Sequence, residues 1–325
     1  MDKNQPDKGI AMKKTRSATV LAAALALGLS TGIAVAAEEG SQNQAAPAPK
    51  VKQMGGLSGT PVNTAISGGG IVPKGMLLTV FNSSYRNKYN IIDGGESDGR
   101  TLVNEVYLLK IRYSPLDRLE LIVVPGYINN SLNPYRNLGE SSVTGWTDFN
   151  AGATYMFLSE RFGDPVSMAF SLGLNLPTGQ SGNSHPPGGG AWGWNTKLGL
   201  SKVFQPKHRI DADLGFAQPF EEGNQDVEKG YSITFNGSYH YIINDNFDVG
   251  LEFALTHNDE GEKNGVAMNN GTSELYAGPA INYILPKYKL WFGVGAYFPV
   301  YRDADSPTAF EDYRIDFKLG KLWSF

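Results

Sequence analysis

The chain ends YRIDFKLGKLWSF, Tyr313–Phe325, and the alternation in this stretch decides the fold. Side chains two residues apart share one face of a β-strand. One face carries Tyr313, Ile315, Phe317, Leu319, Lys321, Trp323 and Phe325, apolar but for a single lysine. The other carries Arg314, Asp316, Lys318, Gly320, Leu322 and Ser324, which are charged or small apart from one leucine. Chain ends normally fray into polar residues. An oily terminal strand needs an apolar solvent on its outer side.

The same alternation recurs upstream. In Tyr231–Tyr241, YSITFNGSYHY, the rings and Ile233 face one way and Ser232, Thr234, Asn236, Ser238 and His240 the other. Phe247–Leu255 sets Phe247, Val249, Leu251, Phe253 and Leu255 against Asp248, Gly250, Glu252 and Ala254. Val166–Leu176 and Leu290–Val300 repeat the pattern. The expected strands are 75–89, 102–113, 118–130, 146–158, 166–177, 192–204, 209–220, 229–243, 247–258, 272–285, 289–302 and 310–325. Alternation is weak in the first two, which leaves their faces open.

The connections carry as much information as the strands. SPLD, SERFGDP, QPKH, NDN and LPKYK are short turns, and between them lie longer loops near 90–101, 131–145, 178–191, 221–228, 259–271 and 303–309. Short and long alternate, with both ends of the array on the short-turn side. That is the pattern of tight periplasmic turns and larger extracellular loops in an outer-membrane barrel. A soluble β-sandwich also has strands bounded by turns. Its strands are usually about five or six residues long, and its charged face would lie on the outside. Here mid-strand charges fit a polar lumen, and aromatics near strand ends (Trp146, Trp194, Trp291, Tyr301, Tyr313, Trp323, Phe325) fit an interfacial girdle. The expected fold is therefore all-β: a transmembrane antiparallel up-and-down β-barrel of about twelve strands.

Composition agrees. The chain has 325 residues, 39 glycines, no cysteine and only 18% charged residues. Disulfides, thiolate metal sites and a cysteine nucleophile are excluded. Lys13, Lys14 and Arg16, the apolar run Val20–Leu29, and the small residues Ala34 and Ala36 describe a signal peptide over residues 1–36, with translation starting at Met1 or Met12. Removing its five Lys/Arg and two Asp/Glu from totals of 28 and 32 leaves 23 and 30, a net charge of −7. Such a chain is a poor partner for nucleic acid. Residues 37–70, rich in Pro, Gly, Ala, Ser and Gln without apolar period, read as a flexible periplasmic linker, with folding into the lumen as the alternative. The barrel is expected over 71–325.

The polar faces assign thirteen charged residues to the lumen: Lys110, Arg112, Glu120, Asp148, Lys197, Arg209, Asp211, Asp213, Asp248, Glu252, Arg314, Asp316 and Lys318. Such charges are expected to tune ion selectivity in a wet pore, so neutralising Arg209, Arg314 and Lys318 should favour cations and leave folding intact. Gly320, Trp323 and Phe325 in GKLWSF resemble the C-terminal signal that outer-membrane barrels present to their assembly machinery. No cofactor or metal site is expected. The acidic loops DGGESDGR and HNDEGEKNG lack the calcium-loop register, and the four histidines lack metal-ligand spacing. His240 with Ser238 or Asp248 is the best hydrolase constellation on offer, outweighed by a polar lumen position.

Several stretches resemble the MetA-pathway phenol-degradation family of outer-membrane proteins. They are IVPKGMLLTVFNSSYRNKY with its Pro-x-Gly, LLKIRYSPLDRLELIVVPGYI around the turn Leu116–Leu119, GWTDFNAGATYMF with Gly145 and Asp148, and SMAFSLGLNLPTGQ with LPTG at Leu176–Gly179. The resemblance spans about residues 70–325. It implies a barrel channel or transporter in the outer membrane, passing small solutes with aromatic or hydrophobic compounds among them. The implied partners are outer-membrane lipid and lipopolysaccharide, the barrel assembly machinery and a small-molecule solute, with the protein a monomer. The alternatives are a barrel enzyme of lipase or protease type and a structural barrel without an open pore.

Overall fold

The computed structural model describes residues 70–88, 90–93, 96–97, 101–133, 141–181, 187–204, 207–305 and 308–325. The signal-peptide and linker expectations for residues 1–69 lie outside the described residues.

Twelve antiparallel strands close on themselves. They are β1 (Met76–Lys88), β2 (Thr101–Leu116), β3 (Leu119–Val124 continuing as Gly126–Asn133), β4 (Ser141–Trp146 continuing as Phe149–Leu158), β5 (Ser167–Leu176) and β6 (Gly193–Phe204), followed by β7 (His208–Pro219), β8 (Ser232–Asn244), β9 (Phe247–Asn258), β10 (Thr272–Leu285), β11 (Leu290–Ala304) and β12 (Tyr313–Ser324). Every strand pairs with its sequence neighbours, and β1 pairs both with β2 (Leu77↔Tyr113 to Lys88↔Leu102) and with β12 (Met76↔Ser324 to Asn87↔Tyr313). Closure leaves no edge. In lipid, where backbone groups must pair among themselves, that is a condition of stability.

The terminal strand alternates as its sequence dictates. Ile315, Leu319 and Trp323 are exposed on the outer face, whereas Lys318 and Leu322 are buried inside. Leu121, Leu172, Leu251 and Ile281 likewise face out from β3, β5, β9 and β10, making an apolar belt that fits the hydrocarbon core of the outer membrane. Outer aromatics pair near the strand ends, Tyr127 with Trp146 at 5.6 Å and Trp194 with Phe216 at 5.3 Å between ring centroids. Lys321, the one cation on the outer face of β12, reaches the Tyr288 carbonyl and lies over the Trp323 ring, so its stem covers apolar surface while its charge meets polar partners.

Two details differ from the sequence reading. Trp291 is not in the outer girdle; it starts β11 on the inner face and is 2% exposed. β3 and β4 are each interrupted, at Pro125 and at Thr147–Asp148. Pro125 has no N–H to give the ladder, and pairing is carried past the break by a hydrogen bond from the Thr147 N–H to the Gly126 carbonyl. Outside the barrel wall, Val227–Glu228, Glu262–Lys263 and Val266–Ala267 form one small sheet of loop strands, and Asn90–Asp93, Glu96–Ser97 and Thr308–Phe310 form another.

Candidate functional site

The lumen is layered. At the periplasmic end, Leu78 of β1, Ile284 of β10, Trp291 of β11 and Leu322 of β12 turn inward around Val72, and Met156 of β4 and Ala169 of β5 do the same around Ile71. Ile71 and Val72 precede the first strand, so the chain crosses the mouth from one wall to the other before entering the barrel. Both are essentially inaccessible, at 2% and 0%. Gly320 makes the packing possible, because a Cβ there would collide with the Trp291 ring. The crossing is also seated by polar bonds. The Val72 N–H donates to Glu120 Oε2 at 2.9 Å, Arg112 donates to the Gly70 carbonyl at 3.3 Å, and Arg112 and Glu120 pair at 2.8 Å. Ile71 and Val72, just ahead of the first strand, thus form a stopper seated in the mouth.

Above the stopper lies a buried ionic layer. Arg209 sits between Asp211 (2.7 Å) and Asp248 (3.6 Å). His240 contacts Asp248 through Nδ1 at 2.7 Å and Glu252 through Nε2 at 3.1 Å. Tyr297 donates to Glu252 at 2.7 Å, Asn282 to Asp248 at 2.9 Å, and Ser201 to Asp211 at 2.6 Å. Asp213 meets Lys197 at 3.6 Å and accepts from Asn236 at 2.8 Å. Lys318 is buried in the same region. Nearer the outside, Arg314 pairs with Asp316 (3.3 Å) and with Glu311 (3.8 Å), which also holds Arg86 (3.2 Å). Lys110 lines a cavity of about 230 Å³ with Val106, Leu108, Asn82 and Asn236.

These side chains point inward; Arg112, Glu120, Arg209, Asp211, Asp213, Asp248 and Glu252 are buried and paired, whereas Lys110, Arg314, Asp316 and Lys318 line the cavity of about 230 Å³ and Lys197 lines the vestibule described below. Charges this deeply buried hold position only through their partners. Asp148 differs from the other twelve. It closes the top of the barrel wall, accepting the Gly179 N–H at 2.9 Å and the Gly190 N–H at 3.0 Å, while Thr178 Oγ1 accepts the Phe149 N–H at 3.0 Å. The Gly145-x-x-Asp148 and LPTG stretches therefore meet as one clamp on the glycine-rich loop. Sequence reasoning missed Tyr297, Asn282 and Glu311. Strand parity would have turned the first two inward, but they carry no formal charge, and Glu311, inside the expected strand 310–325, shares the parity of the outward-facing Tyr313 and Ile315.

His240 has both ring nitrogens on carboxylates, and Ser238 Oγ makes no hydrogen bond. His240 therefore lacks the serine contact of a hydrolase; the serine–histidine contact among the described residues is Ser273 Oγ with His257 Nδ1 at 2.9 Å, at the extracellular ends of β9 and β10, and those residues hold no cluster of three metal-ligating side chains.

The extracellular half opens into a vestibule of about 790 Å³, within the usual range of small-molecule sites. Its floor is formed by Asn150, Asn175, Asn195, Lys197 and Thr234, and Trp192 stands at its rim. Gly173 lies between the first three, where a Cβ would approach Asn195 Oδ1 to 2.7 Å and Asn150 Oδ1 to 3.1 Å.

Among solved structures, the COG4313 outer membrane channel from Pseudomonas putida F1 superposes with a TM-score of 0.65 at 16% identity, covering 78% of this chain and 97% of that one. The CymD monoaromatic hydrocarbon channel gives 0.40 at 10% identity (78% and 89% covered), and the transport unit of the autotransporter AIDA-I from Escherichia coli gives 0.40 at 12% (77% and 89%). No curated protein matches the chain. The first of these likenesses establishes a shared barrel fold. The model of the family described as "Putative MetA-pathway of phenol degradation" matches residues 66–304, so the chain belongs to that family of outer-membrane barrels.

Proposed function

We propose that the protein is an outer-membrane channel for passive passage of small solutes, aromatic compounds among them, whose periplasmic mouth is closed by its own N-terminal stopper. The observation that carries this reading is the vestibule of about 790 Å³ standing over a sealed mouth inside a lipid-embedded barrel. A structural barrel has no use for such a chamber. The inner wall supports solutes with an apolar body: Val106 and Leu108 of β2 line the lumen cavity, and alternation with the exposed Leu121 and Val123 turns Ile122 and Val124 of β3 inward. Facing them, β4 to β9 present amides, hydroxyls and paired ions. The phenol-degradation label of the family points the same way. The engaged nitrogens of His240 count against a lipase or protease reading built on that histidine. We take the working unit to be a monomer in lipid and lipopolysaccharide, placed there by the barrel assembly machinery.

The test is a planar-bilayer comparison of the native protein with an Ile71→Ser/Val72→Ser variant, both first shown to migrate as a compact band before boiling. The native protein should give rare, small conductance steps. The variant should give frequent, larger ones, because two apolar contacts that seat the stopper are gone. A compact, heat-modifiable variant that stays electrically silent would refute the channel reading.

A further inference from the structure

The lumen cavity of about 230 Å³ is lined by four cations, Arg86, Lys110, Arg314 and Lys318, and by one carboxylate, Asp316. Both arginines are paired, Arg86 with Glu311 at 3.2 Å and Arg314 with Asp316 at 3.3 Å and Glu311 at 3.8 Å. Lys318 lies in the field of Glu252 and Asp316. Lys110 has no acid of its own, and among the described residues its ammonium makes no ion pair and no hydrogen bond. The charges acting on it include the like charges of Lys318, Lys197 and Arg112 and the opposite charge of Asp213. Asp213 already holds Lys197 at 3.6 Å and the Asn236 amide at 2.8 Å. A second group in the same lining is unsatisfied. Register sets Asn82 of β1 directly opposite Lys318 of β12 and one inward position along from the partner of Lys110 on β2. Both polar atoms of the Asn82 amide are buried, and neither has a hydrogen-bond partner among the described residues. Polar groups away from bulk water are costly unless something satisfies them.

We infer that this cavity is a binding site for a small aliphatic carboxylate, with Lys110 as the specificity-determining residue. The inference rests on the channel reading for access from outside: Thr234 lines the vestibule and Asn236, the next inward residue of β8, lines this cavity. A carboxylate supplies what the lining lacks. It is the missing counter-charge for Lys110 and an acceptor for Asn82 Nδ2, while Asn82 Oδ1 accepts from an ammonium of the same wall. Hydrogen bonds with an ionised partner are roughly twice as strong as neutral ones. An alcohol would leave the ammonium uncompensated, and an organic cation would add a fifth positive charge. The rest of the lining includes Val106, Leu108 and Ala254. A short aliphatic body covers that apolar surface, which a bare inorganic anion leaves in contact with water.

The test uses the whole folded protein in nanodiscs, titrated by calorimetry at neutral pH with butyrate, butanol, butylammonium and chloride, with empty nanodiscs as the blank. Butyrate should bind saturably, and the other three at least about tenfold more weakly, a difference of about 1.4 kcal/mol. Lys110→Met should weaken butyrate by about tenfold or more. Lys110→Arg keeps the charge and should hold binding to within a few-fold. Asn82→Leu, which leaves Lys110 in place, should also weaken butyrate. Because Lys110 has no acid of its own, Lys110→Met should keep the heat-modifiable band, with its urea midpoint unchanged or raised. A lowered midpoint would show that Lys110 serves Asp213 within the protein, and would overturn the assignment. So would chloride or butanol binding as tightly as butyrate, or a folded Lys110→Met protein that binds butyrate normally. These titrations need no passage through the barrel. A failed titration alongside active stopper variants in bilayers removes this site and leaves the channel, and silent bilayers with intact butyrate binding do the reverse.

Discussion

Gly320 is the residue on which the periplasmic end turns. It sits on the inner face of β12 under the Trp291 ring, so Gly320→Leu must displace that ring or the strand. Overpacking of a filled core costs about 1–3 kcal/mol, and the urea midpoint of the compact band should fall accordingly. Phe325 is 94% exposed and touches no core. Its deletion should leave that midpoint unchanged and instead lower the amount of folded protein reaching the outer membrane; normal amounts would show the terminal ring to be incidental. The two residues lie in one short motif and act through different physics. The sequence showed which face each occupies, because period-two alternation is strict in β12. It misplaced Trp291, because an aromatic near a strand end was read as a girdle even though parity turned it inward. At the turn between β4 and β5, burial of Glu160 raises its carboxyl above the ordinary glutamate range, although the Val203 N–H and Lys202 at 3.5 Å pull the other way. A raised acid holds its proton more tightly when folded. The stability it contributes is full below the unfolded value and is lost as pH rises through the folded one. Glu160→Gln should therefore flatten the urea midpoint between the glutamate range and neutrality; an unchanged pH profile would show that Glu160 does not titrate there.

At the scale of elements, the strands were legible and the stopper was not. All twelve strands lie where alternation and turn signals put them, β3 and β4 included, despite interruptions at Pro125 and Thr147–Asp148. The stopper gave no periodic signal, because only Ile71 and Val72 carry it and two apolar residues make no pattern. Its seat is the Arg112–Glu120 pair, with side chains 4% and 1% exposed. Removing one partner of a buried pair leaves an uncompensated charge, at about 3–5 kcal/mol. Arg112→Met should lower stability by that order and also loosen the stopper, since Arg112 holds the Gly70 carbonyl. Bilayer openings should become more frequent than in the native protein, whereas unchanged gating would mean that the apolar contacts alone seat the stopper.

For the whole molecule, the ionic layer changes what lumen mutations should do. Read from sequence, Arg209, Arg314 and Lys318 were selectivity charges, replaceable without cost to the fold. In the structure Arg209 is 5% and Lys318 6% exposed, and Arg209 and Arg314 each serve two carboxylates. Neutralising all three would leave the largely buried acids Asp211, Asp248, Asp316 and Glu311 without their cations. The triple variant should lose heat-modifiable protein before any shift toward cations can be measured; a normally stable triple variant would show that the acids do not depend on these three cations. Salt should leave the native layer largely unaffected, since screening acts weakly on buried pairs.

The stopper is continuous with the barrel wall. Pro73 to Gly75 are all that separate Val72 from β1, the strand that pairs with both β2 and β12. Three residues reach about 10 Å when extended, so Ile71 and Val72 can leave their pockets without leaving the mouth. Reclosure is then a first-order event. A tether that short keeps the closing segment at a local concentration of millimolar order, whatever the density of protein in the membrane. The dwell time of the open state should be the same for one copy in a bilayer as for hundreds, a leash written into the backbone in place of a separate plug that must be found again.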